Sequence, residues 1–519
     1  MSLCKICSVE MDGLTRDTKD FGGDCAKCMR EIVGEQLDEW DLEPSPYDHQ
    51  RYIWDTTKDD EGFAYFWEMG CAKTAPTIWT AAHLFLEGEI DCLLVLAPNG
   101  VHANWTVEEI PEHMPKDVLE RTRCMTWFSK KAKNKATQTE FAELLQHEGL
   151  AVLVASYDAI KTELGGKAIK ALLEKRKCLY VLDESGRIKT PGSKLTKRVT
   201  ASAKYAKHRR ILTGTPIDNS PMDIYTQVRF IRPEVWTEMG IKNYSHFKSR
   251  FGIWEQRKSA SGGRFEALVR YRDLPLLKSI AASVGDRRLK SEVLDLPDKI
   301  YQRRSFDLNP EQRRIYKALE DEYHAELADG SEVTADLAIV RMLRMSQIAS
   351  GYVGNDEDEL VPLGDNVRMR CLKDTLEDVT GSVIIWGRYN CEIDAIREML
   401  GERDAVYYDG RTSDEDKARA LVKFQREGSA RFFVAKPSAA GEGLTLHRAK
   451  TVIYVSNSFS WRERAQSEDR AHRAGMNDEP VLYIDLVARN TLDGYILRAL
   501  RKKRNLSAEI TGDNLPSWA

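Results

Sequence analysis

From about residue 40 onward, short apolar runs rich in β-branched residues alternate with stretches of helical periodicity. In the first half the runs cover residues 93–97, 151–156, 178–182 and 210–212. A second set covers 382–386, 405–408, 431–435, 451–455 and 481–486. Unbroken apolar runs bounded by turn residues are the pattern of strands covered on both faces, and helices between them predict parallel sheets. Between the two sets, over about 219–370, charged helical periodicity dominates, as in 309–327 and 334–348. The pattern therefore predicts two α/β lobes. The first spans 41–296 with a helical insertion at about 219–290. The second spans 297–519 with one at about 309–355, and the two join near Leu296-Pro297. The polar stretch 258–263 reads as a mobile loop.

Composition narrows this picture. A chain of 519 residues exceeds one ordinary core and fits two or three domains. Its 42% hydrophobic and 30% charged content is that of a soluble globular protein. No apolar run approaches the roughly 20 residues a membrane span needs. The opening Met1-Ser2-Leu3-Cys4 has no basic region followed by an apolar stretch, so the expectation is a cytoplasmic protein without a membrane partner. The net charge of −4 means that any nucleic acid must be held by a local patch. Residues 130–135, 194–210 and 498–504 are candidates, although such runs are also what solvated helix faces look like.

Of the ten cysteines, six are scattered and four form a pattern. Cys4 and Cys7 make one C-x-x-C pair and Cys25 and Cys28 another. Two such turns complete a tetrahedral sulfur site, for which zinc is the expected metal. A segment this short, 1–40, buries little core, so metal binding would supply its folding energy. Four thiolates leave no open position, which makes the role structural or one of docking a protein partner. Two disulfides or a redox pair are the other readings.

The first lobe carries a phosphate-binding pattern. Glu68-Met69-Gly70-Cys71-Ala72-Lys73-Thr74 follows an apolar run and precedes a helical stretch. Such a turn offers inward amides, a lysine for the β- and γ-phosphates (Lys73) and a hydroxyl for Mg²⁺ (Thr74). Ala72 stands where glycine is usual, and Trp67 takes the first glycine's place. Downstream, the apolar 179–182 ends in Asp183-Glu184, which puts two acids at the carboxyl edge of a parallel sheet. Asp183 can hold Mg²⁺, and Glu184 can orient the attacking water.

With these motifs in place, residues from about 46 to 510 resemble the Swi/Snf ATPases of helicase superfamily two. Pro46-Tyr47-Asp48-His49-Gln50 resembles the adenine-reading segment, with Gln50 the implied base contact. Ala97-Pro98 to Asn104-Trp105 resembles the first strand-contact motif. Leu212-Thr213-Gly214-Thr215-Pro216 resembles the motif coupling hydrolysis to DNA grip. The more family-specific pieces are Arg287-Arg288-Leu289-Lys290-Ser291-Glu292-Val293 with Leu296-Pro297, and Asn309-Pro310-Glu311-Gln312 with Tyr316. In the second lobe, Tyr408-Asp409-Gly410-Arg411-Thr412 and Ala439-Ala440-Gly441-Glu442-Gly443-Leu444-Thr445-Leu446 are similar to later motifs. The stretch 466–473 matches the arginine motif, in which Arg470 and Arg473, three apart on a helix, would stabilise the transferring phosphoryl group.

The resemblance implies two tandem RecA-like lobes and an ATP hydrolase that uses Mg²⁺ and moves along double-stranded DNA as a monomer. It implies nucleotide contacts at Gln50, Gly70, Ala72, Lys73, Thr74 and Gly443. DNA contacts are implied at Trp105, Thr213, Gly214, Thr215, Ala440 and Gly441. The compact length resembles bacterial or phage-encoded members. Gly186 replaces the usual histidine after the acidic box, and Ala474-Gly475-Met476 replaces the usual Ile-Gly-Gln. A strand-separating helicase and a decayed nucleic-acid scaffold are the alternatives, the latter opposed by the presence of Lys73, Thr74, Asp183, Glu184, Arg470 and Arg473.

Overall fold

The computed structural model describes residues 35–99, 101–258, 264–294, 296–328, 335–354, 360–440, 444–473, 479–511 and 513. Cys4, Cys7, Cys25 and Cys28 therefore lie outside the described residues, as do Gly441, Gly443, 474–476 and most of the polar stretch 258–263. The chain divides into two units: Met1–Ile217 with Met222–Tyr244 and Ser279–Val293, and Asp218–Pro221 with Ser245–Lys278 and Leu294–Ala519.

In chain order the strands are β1 (Gly62–Tyr65), β2 (Cys92–Ala97), β3 (Thr122–Trp127), β4 (Leu150–Ser156), β5 (Cys178–Asp183), β6 (His208–Leu212), β7 (Gly252–Lys258), β8 (Arg264–Tyr271) and β9 (Gly285–Asp286). They continue with β10 (Lys299–Phe306), β11 (Tyr352–Gly354), β12 (Leu360–Pro362), β13 (Val383–Trp386), β14 (Ala405–Tyr408), β15 (Phe432–Ala435), β16 (Thr451–Tyr454) and β17 (Val481–Ala488).

The first unit holds a seven-stranded parallel sheet in the order β3-β4-β2-β5-β6-β1-β9. Its middle strands are buried along their whole length, as their unbroken apolar runs require. Helix Thr74–Leu86 buries eleven residues and covers one face with helix Asp48–Thr57, through Trp54, Ala75 and Trp79. Arg210, fully buried on β6, gives its guanidinium to the carbonyls of Thr57 (2.9 Å) and Asp60 (2.7 Å), which closes the carboxyl end of the latter helix. Within the basic stretch 194–210, then, this arginine is a structural cation and not part of a surface patch.

The seventh strand, β9, is two residues long and pairs Gly285 with Ala64 and Asp286 with Tyr65. A Cβ on Gly285 would meet the Ala64 carbonyl oxygen at 2.2 Å, so only glycine lets the chains approach this closely.

The second unit holds a six-stranded parallel sheet, β10-β17-β16-β13-β15-β14. Helices Pro310–Ala328 and Ala335–Ala349 lie within 309–355, and the small β11–β12 hairpin runs on beyond that stretch to Pro362. Asn309 and Gln312 cap the first of these helices reciprocally: Gln312 N donates to Asn309 Oδ1 (2.8 Å) and Asn309 N to Gln312 Oε1 (3.1 Å). Tyr316 takes the Leu492 amide on its hydroxyl at 2.7 Å, tying the insertion to the carboxyl-terminal helix Leu492–Thr511. The fully buried Arg368 binds the Ala349 carbonyl (3.1 Å) and Asp493 (2.6 Å) and so joins the same parts.

One expectation needs correction. The stretch 219–290 is not wholly helical, because β7 and β8 form an antiparallel hairpin within it. Neither strand carries a clean period of two: the first reads Gly-Ile-Trp-Glu-Gln-Arg-Lys, and its run of polar residues hides it from a reading by hydrophobic pattern.

Candidate nucleotide site

The carboxyl ends of β1, β6 and β5 lie side by side and carry, in that order, the residue 66–73 loop, the residue 213–217 turn and Asp183-Glu184. Two strand spacings separate β1 from β5, about 10 Å. This edge brings together Gly70, Ala72, Lys73, Thr74, Asp183, Glu184, Thr213, Gly214 and Thr215.

The loop is unusual in conformation and heavily supported. Gly70 has φ +89° and Ala72 φ +52°. A non-glycine residue in the left-handed region costs about 1 kcal/mol or more and persists only where its surroundings enforce it. Here Gln50 Nε2 donates to the Ala72 carbonyl (2.9 Å) and His49 Nε2 to that of Cys71 (3.3 Å). The Tyr47 amide donates to Gln50 Oε1 at 2.8 Å. Gln50 is thus buried and holds the loop through its own amide.

Lys73 Nζ donates to the Glu68 carbonyl at 3.1 Å. Helix Thr74–Leu86 starts at this point with no side chain capping its first-turn amides. A helix start that no side chain caps, a lysine beside it, and hydroxyl and carboxylate oxygens at Thr74 and Asp183 suit a polyphosphate with a hard divalent cation.

The loop is also buttressed from far along the chain. The Phe66 amide donates to the Asp286 carbonyl (2.9 Å), and Trp67 Nε1 to Asp286 Oδ2 (2.6 Å). The Glu68 amide donates to the Arg288 carbonyl (2.9 Å), and the Lys290 amide returns a bond to Glu68 Oε2 (2.8 Å). Arg287 donates to the carbonyls of both Phe66 and Gly214, the latter at 3.1 Å. Trp67 therefore does not disable the loop; its buried indole anchors it. Gly214 lies so close that an added Cβ would sit 3.0 Å from the Met69 amide, so the 213–217 turn rests directly on the loop.

At the acidic end, Glu184 has left-handed backbone angles (φ 55°, ψ 55°) and is buried. Ser185 donates to Gln227 Oε1 (2.7 Å), and Gln227 Nε2 donates to the Pro216 carbonyl (2.7 Å). Gln227 thereby links the acidic box to the 213–217 turn, where the Thr215 amide donates to Thr213 Oγ1 (3.2 Å). Asp183 Oδ2 accepts from Trp105 Nε1 (3.0 Å), and its carbonyl accepts from the Tyr157 hydroxyl (2.7 Å). Trp105 was expected to meet nucleic acid. It is instead buried at 3% exposure with its single polar atom turned inward. Gln227, Tyr157, Asp286 and the inward role of Trp105 are not legible in the sequence, because nothing local reveals a partner such as Asp286, 219 positions from Trp67.

Burial holds the His49 imidazole down at about 4, against an ordinary 6.5. Its bond to a carbonyl requires the proton on Nε2, the neutral tautomer. The sign follows from the lowered value: below 6.5 the unfolded chain takes up a proton that the folded one refuses. Stability is therefore full above 6.5 and falls as pH drops toward 4, by about 3 kcal/mol for this one group. Urea denaturation of wild type and His49→Gln across that window should show a shallower pH slope in the variant.

In the second unit the expected arginines also depart from the helix. Helix Trp461–Glu468 ends before them, and Arg470 and Arg473 lie in the turns beyond it. They still converge: both donate to the Leu444 carbonyl (3.2 and 3.3 Å), and Arg473 also donates to Thr445 Oγ1 (2.8 Å). Ala440 is buried after β15. A cavity of about 440 Å³ at the carboxyl ends of β13, β15 and β16 is lined by Arg388, Lys436, Ser438, Ser456, Asn457 and Arg464.

Arg464 itself is an internal cation. It donates to Asp485, to Glu468 (2.7 Å) and to Asn457 (2.9 Å), and lies over the Tyr454 ring at 3.6 Å. Burial alone would raise the Glu468 carboxyl, but Lys299 and Arg464 hold it below its ordinary value.

Comparison with known proteins places this geometry in context. A family model described as the SNF2-related domain matches residues 52–352, and one described as the helicase conserved C-terminal domain matches 367–475. The chain is 25% identical over 461 residues to the DNA annealing helicase and endonuclease ZRANB3 of Bos taurus, covering 86% of this chain and 38% of that protein. It is 27% identical over 459 residues to the probable ATP-dependent DNA helicase CHR12 of Arabidopsis thaliana (85% and 39%). It is 26% identical over 476 residues to the ATP-dependent helicase brm of Drosophila melanogaster (85% and 27%). The chain thus spans about two fifths or less of the length of these curated relatives. Among solved structures, the Sulfolobus solfataricus SWI2/SNF2 ATPase core in complex with dsDNA matches with a TM-score of 0.39 and 23% identity, covering 90% of this chain and 93% of that one.

Proposed function

The chain belongs to the SNF2-related family, and on that premise we propose that it is a nucleic-acid-dependent ATPase that translocates on duplex DNA and remodels DNA or protein–DNA complexes. The observation that carries this reading is the shared sheet edge in the first unit, where the 66–73 loop, Gly214 and Asp183-Glu184 meet. Relatives named as ATP-dependent DNA helicases support it.

The loop amides and Lys73 bind the β- and γ-phosphates. Thr74 and Asp183 would hold Mg²⁺, which would supply charge neutralisation at the phosphoryl group. Glu184 orients the attacking water, and Arg470 and Arg473 stabilise charge on the transferring group. Thr213, Gly214 and Thr215, with Ala440 and Gly441, grip the DNA backbone. Arg287 bridges the Phe66 and Gly214 carbonyls, so a change in the nucleotide loop is felt in the turn that grips DNA. Among the described residues no helix is long and apolar enough to cross a membrane.

The test is ATP hydrolysis without nucleic acid and with duplex DNA, single-stranded DNA or RNA, using Glu184→Gln as control. Stimulation by duplex DNA that vanishes in the variant supports the translocase. Stimulation by single strands alone turns the reading to a strand-separating helicase. For the amino-terminal segment, Cys4, Cys7, Cys25 and Cys28 are proposed to bind one zinc ion. Elemental analysis should find one zinc per chain, reduced to none by Cys25→Ser with Cys28→Ser.

A further inference from the structure

Asp183 is held by a donor from the segment that follows β2. Trp105 opens the short helical turn Trp105–Glu109 directly after residues 98–104. That turn is fixed on both sides. Thr106 Oγ1 lies 2.6 Å from Thr126 Oγ1 on β3 and donates to the Ala103 carbonyl at 3.0 Å. Tyr157 binds the same region from β4's end, its amide on the Ala97 carbonyl (3.1 Å) and its hydroxyl on the Asp183 carbonyl (2.7 Å).

An indole N–H only donates and a carboxylate only accepts, so the 3.0 Å bond from Trp105 Nε1 fixes Oδ2 and with it the plane of the carboxyl group. Trp105 is also buried as part of the core cluster that includes Val95, Ala97 and Ile110, which ties the ring's position to the chain around it.

We propose that Trp105 is a positioning residue for the metal-holding carboxylate of Asp183. Its N–H therefore sets how firmly the site holds its divalent cation. The inference rests on the ATPase reading above and deepens it. Partners that orient a metal ligand typically change metal affinity by about 10- to 100-fold when removed.

The test compares the full-length wild type with Trp105→Phe, which keeps a buried ring and removes the donor. Mn²⁺ binding in the presence of ADP is followed by electron paramagnetic resonance, and Mg²⁺ half-saturation of ATP turnover is measured with duplex DNA present. The expected result is Mn²⁺ binding weakened about tenfold, and a Mg²⁺ half-saturation raised alike. Turnover at saturating Mg²⁺ should change much less.

If Trp105→Phe fails to fold, benzothienylalanine at position 105 matches the indole in shape without the N–H and gives the same comparison. Mn²⁺ binding equal to wild type overturns the inference and leaves the ATPase reading standing, with Trp105 a packing residue only. A wild type that binds no Mn²⁺ with ADP overturns both.

Discussion

Lys73→Ala is expected to lower ATP turnover about 10²- to 10³-fold while leaving thermal unfolding where it is in the wild type. The loss is that of one fixed cation aimed at developing charge. The unchanged stability follows from what the side chain does in the folded protein, where its ammonium donates to the Glu68 carbonyl on a loop already held by other bonds. The loop keeps its Gln50, His49, Asp286 and Arg288 contacts in the variant. Steady-state turnover with duplex DNA, alongside calorimetric melting, checks both halves. Wild-type turnover in the variant would remove this loop from the chemistry, whereas a lowered melting temperature would make the lysine a structural residue.

Arg464→Met is expected to act the other way, with a large loss of stability in the second unit. Removing one partner of a buried ion pair leaves the others charged and unsatisfied, at a cost of about 3–5 kcal/mol. Asp485 and Glu468 would be so stranded, and the contact over Tyr454 would be lost. For a unit of this size that corresponds to a melting temperature lower by about 10 °C. Adding Asp485→Leu should restore part of the loss, because the second charge is then gone as well. Arg473→Met serves as the contrast: its bonds are to the Leu444 carbonyl and the Thr445 hydroxyl, so turnover should fall more than stability.

Much of the architecture was legible because its central strands are buried on both faces. The runs at 93–97, 151–156, 178–182, 382–386 and 451–455 leave no period to confuse, and each holds a strand of a parallel sheet. Edge strands were harder. β3 reads Thr-Arg-Cys-Met-Thr-Trp and β10 reads Lys-Ile-Tyr-Gln-Arg-Arg-Ser-Phe; each has one neighbour and a half-wet face, so their polar residues dilute the pattern. The residues of the 66–73 loop proposed to bind phosphate could be named from order and spacing. What holds them could not. Trp105 shows why: a tryptophan after a strand can face solvent or the interior, and only the packed fold decides. Arg470 and Arg473 lie beyond a helix that stops at Glu468, an end for which the local sequence offers neither glycine nor proline as a signal.

The two-residue strand β9 also bears on how the protein is made. The 66–73 loop emerges from the ribosome early, yet the bond from Trp67 to Asp286 joins positions 219 apart in the chain. Long-range pairings of this kind form late, because loop closure must precede them. Until residues 285–290 have been synthesised, Phe66, Trp67 and Glu68 lack the partners that shape the loop, and a nascent chain can fold its central strands without a finished nucleotide site. A fragment cut at residue 284 would preserve the other six strands of the first sheet, yet should bind nucleotide poorly; one extended to 293 should regain the loop's full support.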